Sequence, residues 1–221
     1  MFKIDINKKL DYEVYIDFRN FSVADTNFSE LIKKEHPKIN LKNYKKYIDD
    51  FYSTEKSEML KKQEEIRQIL IKKQDKFFIE LTKLFSMNFD KDIYQGYLSM
   101  FNCNPRWPET KIFQIYWKKD LPHALEVIFH ESLHFAFFDY LEKNFTEQIK
   151  GLDKNSGILW EMSEIFNIII LNQSQFKKII GIEEKLFYTH LQDKLDKAKV
   201  IWSTHSGINN FVSRYLVEIG K

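Results

Sequence analysis

His130, Glu131 and His134 form the pattern His-Glu-x-x-His, one of few short motifs whose spacing is set by chemistry. Residues four apart lie on one face of a helix, a turn above each other. Both imidazoles can therefore reach a single ion about 2 Å from each ring nitrogen. A zinc ion so held makes a water acidic at neutral pH. Glu131, beside the ion without binding it, can take that water's proton and pass it to a leaving group.

A catalytic zinc takes three protein ligands and keeps one position for water, so a further donor is required. Glu161 and Glu164 are the acids of the otherwise apolar stretch GILWEMSEIFNIIIL at 157–171. Their spacing of three puts them on one side of a helix, and Asn167 continues that polar strip. A continuation H-x-x-G-x-x-H is absent, because Phe137 and Tyr140 follow His134 at three and six residues, which excludes the metzincin type.

With a glutamate on a second helix, the pattern resembles the gluzincins, the thermolysin-like and aminopeptidase N-like zinc peptidases. The segment Trp160-Glu161-Met162-Ser163-Glu164 fits them in two ways. The thermolysin-like arrangement puts the ligand directly after a tryptophan, at Glu161, whereas the aminopeptidase-like W-x-x-E-G pattern favours the later acid. Glu164, central in the strip and preceded by serine, is the preferred third ligand. Glu161 is then an acid that orients a histidine, or the alternative ligand. Ile165 replaces the glycine of the second group, and Ile165 and Ile168, four residues after the two acids, stand where the first has an aspartate. The likeness covers about fifteen residues. It does not carry over a substrate class. The reaction expected of the centre is hydrolysis of a peptide or related amide bond in a peptide or protein substrate, and the likeness implies an oxyanion donor after the metal helices: His205 first, Tyr188 and His190 next.

The helix that carries the histidines reads LPHALEVIFHESLHFAFFDYL and is apolar almost all round, the signature of a buried helix. Asp120 is its expected N-cap, Pro122 lies in its first turn, and it should run to about Lys143. His123, seven residues before His130, projects from nearly the same face but reads as a helix-start residue. Asp139 lies off that face and has no metal role.

Upstream, Phe2 to Ile6 and Tyr12 to Phe18 alternate apolar and polar residues and are expected to pair as a strand hairpin. A short helix is expected at Tyr44 to Phe51 and one long helix or two at Ser53 to Phe85, where Ile66, Leu70, Phe77, Leu81 and Leu84 recur at helical spacing. Further strands are expected at Tyr94 to Phe101 and Lys111 to Trp117. The second, KIFQIYW, would by the resemblance to the gluzincins correspond to the edge strand on which such enzymes pair an extended peptide. After the polar segment at 144–156, helices are expected at Gly157 to Leu171, Glu183 to Trp202 and Asn209 to Ile219.

Composition sets the remaining bounds. Lys+Arg 34 against Asp+Glu 32 gives a net charge of +2, and the charges are interspersed, so no basic stripe speaks for nucleic acid. The lone Cys103 excludes an intramolecular disulfide framework and a cysteine-rich zinc site, agrees with a reducing compartment, and reads as a small buried or loop residue. No apolar run suggests a membrane span and the first residues lack the apolar core of a leader, so the cytoplasm is expected. A secreted chain whose leader had been removed would read the same.

These readings converge on a single α+β zincin-like domain of 221 residues with a mainly antiparallel N-terminal sheet. An N-terminal lobe to about residue 143 and a helical C-terminal lobe at 144–221 would flank a cleft. Two other readings stay open: a zincin fold that binds or senses zinc without turnover, and a metal-free interaction protein that uses the helix at 53–85.

Overall fold

The computed structural model describes all residues except 24–25, 90, 205–206 and 221. It is a mixed structure, predominantly helical, with one four-stranded and one two-stranded sheet. The chain divides into two compact units, Met1–Gln74 with Asp92–Ile128, and Asp75–Lys91 with Phe129–Lys221.

In the first unit, strand β1 (Phe2–Ile6) buries Phe2 and Ile4 and exposes Lys3, as its alternation requires. Helix α1 (Lys8–Phe18) follows directly, so the expected second strand of a hairpin is a helix. The segment satisfies both periods at once. Tyr12, Val14, Ile16 and Phe18 alternate, whereas Asp11, Val14 and Tyr15 fall on one helical face, and these last three are the buried ones. The Asn7 side chain accepts from Lys9 N–H at 3.2 Å and starts the helix. Strands β2 (Ser22–Val23) and β3 (Thr26–Asn27) form the small antiparallel sheet. Helices α2 (Phe28–Glu35), α3 (Tyr44–Thr54) and α4 (Lys56–Phe85) come next. Within α4, Met59, Ile66, Leu70, Phe77, Leu81 and Phe85 are buried at helical spacing.

Strand β4 (Tyr94–Ser99), the short β5 (Arg106–Trp107) and β6 (Ile112–Tyr116) complete the main sheet in the order β1-β4-β6-β5. Both β1·β4 and β4·β6 are parallel, and only β5·β6 is antiparallel. The expected mainly antiparallel sheet is thus corrected. The chain reverses after β4, runs back as β5 and reverses again through the left-handed Lys111 (φ 53°), so β6 emerges parallel to β4. Nor is β6 a free edge for a peptide: its Gln114 and Tyr116 N–H groups donate to Pro105 O and Asn104 Oδ1, both at 2.9 Å. Gly96 in β4 sits in register with Ile4 and Phe113 on either side, and its missing side chain is what admits both.

A buried carboxylate ties this unit together. Asp11 accepts from Tyr52 Oη (2.6 Å), Ser99 Oγ (2.7 Å), Gln114 Nε2 (2.8 Å) and Met100 N–H (2.9 Å), which joins α1 to α3 and to two strands. A buried charge persists only with such partners.

Helix α5 (Leu121–Asn144) starts where Asp120 Oδ1 accepts from His123 N–H at 3.0 Å, as expected of an N-cap. The second unit continues with α6 (Thr146–Ile149), α7 (Gly157–Leu171), α8 (Ser174–Ile180), α9 (Gln192–Thr204) and α10 (Ile208–Arg214), the last running into a wider π turn at Tyr215–Ile219. The helix expected from Glu183 begins only at Gln192, because Gly181 (φ 98°) ends α8 in the left-handed region and a loop follows. Aromatic rings lock α5 to α7: Phe137 stacks on Phe166 with centroids 4.1 Å apart and planes 12° apart. Phe85 and Phe211 pack on the same Phe166 ring. Among the described residues no helix is long and apolar enough to cross a membrane.

Candidate metal centre

Helices α5 and α7, both apolar around most of their circumference, bring a small polar cluster into the interior of the second unit. From Phe129 to Leu141 every residue of α5 is buried except His130 and Asp139, which are partly exposed. His134 is fully buried, its ring stacked on Phe138 at 5.9 Å and 14°. Glu131 and Glu164 retain 6% and 5% exposure. Solvent reaches the cluster chiefly along His130, whose side chain keeps 16%.

The helical turn between the two histidines places their Nε2 atoms 2.9 Å apart. Two lone pairs repel at that distance, so a proton or a cation must stand between them. Glu164 straddles the pair from α7: Oε2 lies 3.4 Å from His130 Nε2 and Oε1 lies 3.4 Å from His134 Nε2. One ligand atom from each of the three residues falls within 4.8 Å of the others. Donors bound at about 2 Å to one tetrahedral ion lie about 3.3 Å from each other, so the group fits an ion with shifts of a few tenths of an ångström.

Register between the helices is set by Asn167, one turn beyond Glu164, whose Nδ2 donates to the His130 carbonyl at 2.8 Å. The outer face of His130 meets a residue that spacing alone gave no reason to choose. Glu184 Oε1 lies 2.9 Å from His130 Nδ1, and Glu184 is itself buried. Burial disfavours the imidazolium, yet the charge of Glu184 and the hydrogen bond and charge of Glu164 outweigh it and hold His130 well above its ordinary range.

Compared with protein-family models, curated proteins and solved structures, the chain matches none. The centre is therefore read from its own atoms.

The expected site residues separate accordingly. His130, His134 and Glu164 come together, with Asn167 against the first. Glu161 does not orient a histidine: its Oε2 accepts from Lys194 Nζ on α9 at 2.5 Å, and the acid on His130 is Glu184. The three-residue step along α7 turns Glu161 about 60° away from Glu164, which directs its side chain to Lys194 on α9. Tyr188 and His190 gather on Trp160, with ring centroids at 4.8 and 6.3 Å. His123, in the first unit, pairs with Asp120 at 2.6 Å in an exposed contact. Cys103 is buried, which pushes its thiol up, out of the reactive range. His205 lies outside the described residues. In the sequence Glu184 is one of two adjacent acids, Glu183 and Glu184, in a segment expected to be helix, and no pattern singles it out.

Proposed function

We propose that this chain is a zinc-dependent hydrolase of zincin-like type, a metallopeptidase acting on peptide or related amide bonds. The observation that carries the reading is the convergence of two histidine nitrogens and one carboxylate in a buried pocket of donors. Two neutral nitrogens and an anionic oxygen are a donor set that suits zinc and leaves a coordination position for water. The ion, when bound, supplies the acidity that turns water into a nucleophile and polarises the carbonyl it attacks.

The chain's own residues do the rest. His130 and His134 present their Nε2 atoms and Glu164 compensates part of the charge. Glu131, the helix neighbour of His130 and buried with it, takes the proton from the attacking water and returns it to the leaving amine nitrogen. His205 is retained, on its place in the sequence, as donor to the oxyanion.

The test is the metal content of purified protein together with digestion of a peptide library, with and without chelator. Stoichiometric zinc and chelator-sensitive cleavage are expected, with Glu131→Gln keeping the metal and losing turnover. Protein that takes up no zinc refutes the metal centre, and undiminished cleavage by Glu131→Gln refutes the role of that carboxylate. Zinc without any cleavage leaves a binding or sensing protein in place of an enzyme.

A further inference from the structure

Asn172 caps the end of α7 and reaches further. Its Nδ2 donates to Ile168 O and to Glu184 O, both at 2.9 Å, and its Oδ1 accepts from Glu184 N–H at 3.0 Å. The backbone of Glu184 is thereby paired on both sides with one side chain, as a strand residue is with its neighbour. Gly181, at φ 98°, permits the reversal that brings the loop back from α8 to this point. The anchored residue is the one whose carboxylate lies 2.9 Å from His130 Nδ1, and Glu184 Oε2 has no hydrogen-bond partner among the described residues.

A neutral imidazole carries one N–H. A carboxylate facing Nδ1 keeps the hydrogen there and leaves the Nε2 lone pair for an ion, while it fixes the plane of the ring. We propose that Glu184 is the positioning residue of the metal centre, setting the tautomer and orientation of His130, and that Asn172 holds it there. The inference rests on His130, His134 and Glu164 being ligands. It gives the loop between Gly181 and Leu191 a function: by linkage, whatever affinity Glu184 adds for the ion is returned as stability of the loop when the ion binds.

The test measures zinc affinity of the full chain by chelator competition, the visible spectrum of the cobalt-substituted protein, and amide hydrogen exchange of residues 182–188. Glu184→Gln, which keeps an acceptor but not the charge, should lose about 10-fold in affinity and Glu184→Ala up to about 100-fold, the range typical of such partners. Both should change the cobalt bands at full loading. Asn172→Ala, which leaves the carboxylate in the chain but frees its backbone, should lose affinity as well, and zinc should slow exchange in the wild-type loop. Wild-type affinity and unchanged cobalt bands in both Glu184 variants overturn this inference alone. A wild type that binds neither zinc nor cobalt overturns the ligand reading and this inference with it.

Discussion

Asn167 Nδ2 donates to the carbonyl of His130 at 2.8 Å, so a side chain of α7 is bonded to the backbone of the first histidine of α5. A carbonyl has two lone pairs, and the second is free to take this bond alongside the helical one. The contact sets the relative height of the two helices, and Glu164 sits one turn from it on the same face.

Asn167→Ala should therefore cost about 1 to 3 kcal/mol of stability, the range for removing a buried hydrogen-bond partner, and weaken metal binding too. Denaturant unfolding of the metal-free protein and chelator competition would read the two effects. Unchanged values in both would show that the bond does not set the register.

The two acids of α7 should behave differently. Glu164→Gln should lose bound metal, as should His130→Ala and His134→Ala. Glu161→Gln should retain it and cost at most about 1 kcal/mol, since its pair with Lys194 is 35% and 20% exposed and screened by solvent. Metal analysis of the four variants decides the matter, and greater loss from Glu161→Gln would move the third ligand there.

Gly96→Ala should destabilise the first unit by about 1 to 3 kcal/mol through overpacking. An added Cβ would stand 2.8 Å from Ile4 Cδ1 and 2.9 Å from Phe113 Cζ, both large side chains of flanking strands. Combining it with Ile4→Val, which removes the Cδ1 methyl, should recover part of the loss. Simple additivity of the two costs in thermal unfolding would show that this contact is not the cause.

Burial raises the Asp11 carboxyl above its usual range, although the bonds from Tyr52, Met100 N–H, Ser99 and Gln114 pull it down. A folded pKa above the unfolded value contributes stability that is complete below the unfolded pKa, about 3.9, and is lost as pH rises through the folded one. Asp11→Asn does not titrate. The advantage of wild type over this variant should shrink as pH rises from about 4, followed by urea unfolding at several pH values; an advantage that grows would mean the fold prefers the anion.

How much was legible in the sequence differs between elements for identifiable reasons. The long apolar helices were readable because their pattern is local: a helix of 3.6 residues per turn stacks His130 over His134 whatever surrounds it, and α7 spans the residues expected of it. The same geometry set Glu164 three residues from Asn167 on one polar strip. Residues 12–18 were ambiguous, since their apolar positions fit a strand or a helix face, and the Asn7 cap and the partners of Asp11 decided for the helix. Strand direction was not legible at all. It follows from two chain reversals between β4 and β6, and no alternation of side chains encodes which neighbour a strand will find.

What the sequence determined by itself is the set of donors one helix can present to an ion, because spacing along a helix fixes direction. Only the tertiary structure decided which distant groups face those donors. Glu184 meets His130 across 54 residues of chain because a left-handed glycine turns the loop and Asn172 catches its backbone, contacts that depend on packed helices rather than on any local period.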